Sequence, residues 1–170
     1  QYPSRRFVVY GHRGMVATGT PVAAQAGLEV LKKGGNAMDA AVATAAALTV
    51  VEPTSNGIGS DSFALVWSAK DQKLYGLNST GRAPMSITAE AVRKLGHETM
   101  PFNGPVSVTV PGAPGGWAAL NQRFGKLSLS EDLAPAIDLA DNGFAVNTKV
   151  SFLWWRDGIR LFVDSGCTGG

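Results

Sequence analysis

Residues 21–51 read PVAAQAGLEVLKKGGNAMDAAVATAAALTVV, and the fold turns on how this stretch is divided. Thr20 suits the cap of a helix beginning at Pro21, since a proline at the first helical position forfeits no hydrogen bond, and Gly34-Gly35 supplies the left-handed stop after Lys33. Polar Gln25, Glu29, Lys32 and Lys33 gather on one side, opposite an apolar row of Val22, Ala26 and Val30. A second helix is expected from Met38 to Val50, with Asp39 in its first turn where the helix dipole favours an acid, and Pro53 beyond its end. It is apolar all round, which predicts burial, and its alanines permit close backbone approach. The two form a helical hairpin over 21–50, one member wet and the other dry.

Outward from the hairpin, Asn56-Gly-Ile-Gly-Ser-Asp61 leads into two β-rich runs, Phe63–Ser68 and Lys73–Leu77, separated by Ala69-Lys-Asp-Gln72. This predicts a β-hairpin over 62–78. Thr88 caps a short helix stopped by Gly96, and Val106–Val110 alternates with Ser107 and Thr109 as a half-buried strand does, predicting a strand over 106–110. Pro111–Gly116 breaks the pattern before C-terminal helices over 117–163: one from Trp117 to Phe124, one announced by a Ser128/Glu131 capping box and opened by Pro135, and a last one capped by Asn147. The tail 165–170 reads as a mobile end. The mixture defines an α+β chain with no internal repeat.

Composition bounds the function. Only 16% of the 170 residues are charged, against an average near 25%, so part of the surface is expected to be covered. The net charge of +2 is scattered, which argues against a nucleic-acid footprint. The apolar, uncharged run Ala40–Val51 is too short to span a membrane. With no leader visible after Gln1, a cytoplasmic location is favoured over a periplasmic or secreted one. The lone Cys167 leaves no internal disulfide, and its small, base-free neighbours make it an inert thiol.

Individual motifs carry little chemistry. The Asn56–Asp61 loop precedes a strand and lacks the Lys-Ser/Thr of a phosphate loop, so it reads as a structural turn and argues against a nucleotide-binding domain. Gly115-Gly116 opens a helix but has no basic neighbour, so packing is the better reading than anion binding. His12 and His97 are too few and scattered for a metal or a serine triad. No cofactor is indicated, and no complete catalytic constellation exists within these residues.

The linear pattern itself is more telling. Gly14-Met-Val-Ala-Thr18, the run Ala26–Ala45 with its Lys-Lys-Gly-Gly-Asn-Ala-Met-Asp centre, Val51-Glu-Pro-Thr-Ser-Asn-Gly-Ile-Gly59, Val108-Thr-Val-Pro-Gly112 and Leu133–Phe144 together resemble the start of the γ-glutamyltranspeptidase large subunit, over most of 11–147. The resemblance implies an N-terminal-nucleophile hydrolase, a four-layer αββα sandwich made as one precursor that cuts itself in two. A threonine at the new N-terminus of the small subunit then attacks the γ-glutamyl amide, with its own amino group as base. That threonine has no counterpart here, so the implied role of this chain is a large-subunit portion, inactive alone. Its implied partners are the rest of the large subunit, the small subunit, and a γ-glutamyl or glutaryl amide substrate, with a higher oligomer open.

One departure bears on substrate. Transpeptidases carry, after the second strand, an arginine that pairs with the glutamyl α-carboxylate. Counting back from Ala83-Pro84 puts Thr80 in its place, while Arg82 stands two positions later, about 7 Å further along extended chain. Thr80 and Arg82 are therefore the candidate substrate-binding residues, with Arg82 serving either a shifted pocket or a surface ion pair. The Asn78-x-x-Gly-Arg-Ala-Pro84 form is similar to the cephalosporin-acylase-like branch. The alternative is a catalytically silent binding or structural relic of the same fold.

Overall fold

The computed structural model describes residues 8–102 and 104–164. Six helices and one hairpin follow in order: α1 (Pro21–Lys32), α2 (Ala37–Val51), β1 (Ser62–Ser68), β2 (Lys73–Ser79), α3 (Ala89–Lys94), α4 (Ala113–Phe124), α5 (Leu129–Asn142) and α6 (Thr148–Asp164).

Helix α1 starts as expected, with Thr20 Oγ1 accepting from the Ala23 N–H at 3.3 Å. Its buried row is Ala23, Ala26, Gly27 and Val30. Gly27 is the point of closest approach to α2. A Cβ there would overlap Thr44 Oγ1 and stand 3.1 Å from the Ala40 carbonyl oxygen. Helix α2 opens with a capping box in which the Asn36 side chain accepts from the Met38 and Asp39 N–H groups and Asp39 Oδ2 accepts from the Asn36 N–H at 2.7 Å.

The expectation that α2 is dry all round needs correction. Ala40, Val42, Ala43, Ala46, Ala47 and Val51 are buried against α1 and α5, whereas Ala37 and Ala41 are exposed. With Ala45, Leu48 and residues 13–18 these line an open groove of about 560 Å³. Uniform apolarity has no direction, so the sequence does not tell which stripe stays open.

The β-hairpin pairs antiparallel from Ser62↔Ser79 to Ser68↔Lys73. Its turn is held by Ser68 Oγ donating to Asp71 Oδ2 at 2.8 Å and by Gln72 at φ +51°. Because side chains alternate, one face carries Ala64, Val66, Tyr75 and Leu77 onto the helices. The opposite face carries Phe63, Leu65, Trp67 and Leu74, each more than half exposed.

Three local readings are corrected. No strand forms over 106–110: Pro105–Ser107 is a 3-10 turn, and the extended residues after it make one described backbone bond to another segment, Val110 N–H to the Arg82 carbonyl at 3.0 Å. A strand needs a ladder partner, and alternation alone does not supply one; Val108 and Val110 are in fact exposed. Helix α4 begins at Ala113 rather than Trp117, because Pro114 falls in the first turn, where its missing N–H costs nothing. Pro135 does not open α5 but lies inside it, since the Ser128/Glu131 capping box starts the helix six residues earlier. Asn147 caps α6 through the Val150 N–H at 2.9 Å. The tail 165–170 and Cys167 lie outside the described residues.

Between the helical pairs sits a buried polar knot. Asp39, fully buried, accepts the Lys126 N–H at 2.9 and 3.0 Å, and Asn36 Nδ2 donates to the Phe124 carbonyl at 2.6 Å. Asn121 Nδ2 donates to Asp132 Oδ2 at 2.9 Å, while Asp132 Oδ1, equally buried, has no hydrogen-bond partner. Burial, reinforced by the neighbouring Asp39 and Glu131 carboxylates, pushes the Asp132 carboxyl up to about 6 from its ordinary 3.8, against the pull of the Asn121 bond.

Candidate functional site

Thr80 and Arg82 follow directly on β2, at the end of the hairpin remote from its turn, and both are exposed. Three segments meet there: the approach to β1 (Ser60–Ser62), the exit from β2 (Ser79–Arg82) and the extended run Thr109–Gly112 that enters α4. They meet backbone on backbone. A Cβ on Gly81 would overlap the Val110 carbonyl, and one on Gly112 would overlap the Ser79 carbonyl, so neither position has room for a side chain.

Each residue of the exit segment is tied separately. Ser79 Oγ donates to the Gly112 carbonyl at 2.7 Å. Asn78 Oδ1 accepts from the Thr80 N–H at 3.0 Å and from the Thr80 hydroxyl at 2.6 Å, which spends the Thr80 proton locally. Asp61 Oδ1 accepts from the Gly81 N–H at 3.1 Å. The Arg82 carbonyl accepts from the Val110 N–H, as above. The Arg82 guanidinium has no ion-pair partner among the described residues.

Neighbouring features complete the surroundings. At the entry to α4, the Gly112 and Ala113 N–H groups donate to the Ser60 carbonyl at 3.1 and 2.8 Å. Gly116 packs on Ser79 and Ser62, as the packing reading expects, whereas Gly115 is exposed with open space where a Cβ would stand, so the reading holds for Gly116 alone. The open face of the hairpin holds a shallow hollow of about 410 Å³ lined by Phe63, Leu65, Gly76 and Asn78, which ends beside the Thr80 turn. The Asn56–Asp61 loop is a turn, with the Ser60 N–H donating to the Gly57 carbonyl at 3.1 Å. Sequence reasoning missed Asp61 because its partner is twenty residues away and a single acid in a glycine-rich turn carries no signal. Among the described residues, no three His, Cys, Asp or Glu side chains are grouped to hold a metal ion, and no helix is long and apolar enough to cross a membrane.

The family model described as Gamma-glutamyltranspeptidase matches residues 23–164. The chain belongs to the gamma-glutamyltranspeptidase family. It is 41% identical over 140 residues to the Glutathione hydrolase-like YwrD proenzyme of Bacillus subtilis (strain 168), covering 82% of this chain and 26% of that relative. This family member therefore spans about a quarter of the length of the curated relatives it matches. Among solved structures it is similar to cephalosporin acylase from Bacillus halodurans, with a TM-score of 0.89 and 57% identity over 96% of this chain and 30% of that one. It is also similar to Helicobacter pylori gamma-glutamyltranspeptidase, with a TM-score of 0.81 and 32% identity over 88% of this chain and 43% of that one. The α+β fold is that of these N-terminal-nucleophile hydrolases.

Proposed function

We propose that this chain is the N-terminal portion of the large subunit of an amidohydrolase that cleaves γ-glutamyl or glutaryl amides and forms one wall of its acyl pocket. The observation that carries the reading is Arg82: an exposed guanidinium with no ion-pair partner among the described residues, on a rigidly tied segment, in a chain 57% identical to a solved cephalosporin acylase. That similarity weighs against a silent relic.

In this reading the threonine of the small subunit adds through its hydroxyl oxygen to the amide carbon. An acyl ester forms as the C–N bond breaks, and the amine leaves carrying a proton. Water or a second amine then takes the acyl group, and the threonine hydroxyl is restored. Arg82 binds the carboxylate at the far end of the acyl chain, where a planar fork matches two oxygens. Thr80, with its proton donated to Asn78, offers only hydroxyl lone pairs to that acyl group, which suits a donor N–H better than a carboxylate.

The test uses the full-length gene product. It should run as two bands on a denaturing gel, and replacing the first residue of the smaller band should abolish both processing and hydrolysis of chromogenic γ-glutamyl and glutaryl anilides. Arg82→Ala should raise KM by roughly tenfold or more, the scale of a charge-assisted contact, with the melting temperature unchanged. One unprocessed band with full activity would remove the proposal, and an unaltered KM would remove Arg82 from the pocket.

A further inference from the structure

We infer that Asp61 is a positioning residue for the Thr80–Arg82 segment, acting on substrate recognition through Gly81; the inference rests on the proposed function. Of the ties on the exit segment, Asn78 acts on its own neighbour and Val110 acts through its backbone. Among the described residues, Asp61 is the one side chain that hydrogen-bonds Thr80–Arg82 from a distant part of the chain, twenty residues away on the far side of β1.

What it holds makes the tie consequential. Gly81 is glycine because the Val110 carbonyl occupies the place of a Cβ, so no side chain anchors this residue and its backbone has the widest conformational freedom of the segment. Its N–H is the donor by which this residue can be held from outside the segment, and Asp61 Oδ1 accepts from it. The bond fixes the peptide plane between Thr80 and Gly81, and the Val110 bond fixes the plane after Arg82. Together they set the direction in which the Arg82 side chain leaves the backbone. Without Asp61, only the downstream plane is held.

The experiment compares Asp61→Ala and Asp61→Asn with the parent in the full-length processed enzyme. It measures steady-state kinetics on glutaryl and γ-glutamyl anilides and amide hydrogen exchange of a peptide covering 79–84. Asp61→Ala should raise KM about fivefold with kcat within about twofold, and speed exchange in that peptide, the scale of one lost hydrogen bond. Asp61→Asn, which keeps the Oδ1 acceptor, should stay close to the parent in both. In an Arg82→Ala background, Asp61→Ala should add no further rise in KM, since the two act through one contact. Unchanged exchange and KM in Asp61→Ala overturn the inference, and so does Asp61→Asn behaving like Asp61→Ala, which would make the charge itself the active element. If the parent cleaves neither anilide, the proposed function fails, and the exchange comparison alone decides whether Asp61 holds the segment.

Discussion

A carboxyl group buried without a partner for one of its oxygens sets a pH dependence that can be signed in advance. Asp132 ionises near 6 in the folded chain and near 3.8 when unfolded, so between those values the folded state binds the extra proton. Stability from this group is therefore fully present below about 3.8 and is lost as pH rises through 6. The loss amounts to roughly 3 kcal/mol. Asp132→Asn keeps an oxygen for Asn121 and removes the titration. It should raise the urea midpoint at pH 7 and leave it nearly unchanged at pH 4, and an equal effect at both values would disprove the assignment. Residue-scale features of this sort are the least legible in sequence. Asp39 was readable as a helix-start acid, but its hold on Lys126 was not, and Asp132 carried no reading of its own. Arg82 was readable because a family pattern marked its register, whereas Asp61 had no pattern to mark it.

At the scale of elements, the crossing of α1 and α2 depends on a missing side chain. Gly27 lets Thr44 of α2 come close enough that a methyl group would overlap its hydroxyl. Gly27→Ala should lower stability by about 1–3 kcal/mol, the usual cost of overpacking, despite alanine's better helix propensity. Adding Thr44→Ala should recover part of that loss but not all, since the Ala40 carbonyl and Val16 would each still stand 3.1 Å from the new carbon. A thermal melt of the parent and the two variants checks the order, and a Gly27→Ala variant as stable as the parent would mean the helices slide apart freely. The helices themselves were legible because caps, prolines and stop glycines act within four residues. Thr20, Asn36 with Asp39, Ser128 with Glu131 and Asn147 all cap as local rules require. The reading failed where the deciding partner is distant: alternation at 106–110 had no ladder to join, and Pro135 was judged by its own preference rather than by the stronger start at Ser128.

For the whole molecule, the scarcity of charge has a location. Phe63, Leu65, Trp67 and Leu74 form a continuous apolar face on the hairpin, and the Ala37–Ala41 stripe of α2 forms another. Apolar area of this kind binds hydrophobic dyes when uncovered. On the proposed reading, the 170 residues expressed alone should bind an anilinonaphthalene dye strongly and the intact processed protein weakly; equal, weak binding by both would mean the faces need no cover. The polar knot has a different whole-molecule effect. Asp39 joins the turn between α1 and α2 to the turn between α4 and α5, and a Cβ on Gly125 would sit 2.8 Å from its Oδ1 and 2.7 Å from Asn121 Nδ2. Positions 39, 121 and 125 therefore share one small volume. Descendants of this sequence are not free to vary them one at a time: a Cβ at 125 would also meet the Asn121 backbone carbonyl oxygen at 2.5 Å, which no shorter side chain at 39 or 121 relieves, so glycine should persist at 125 through evolution and keep the side chains at 39 and 121 in step with it.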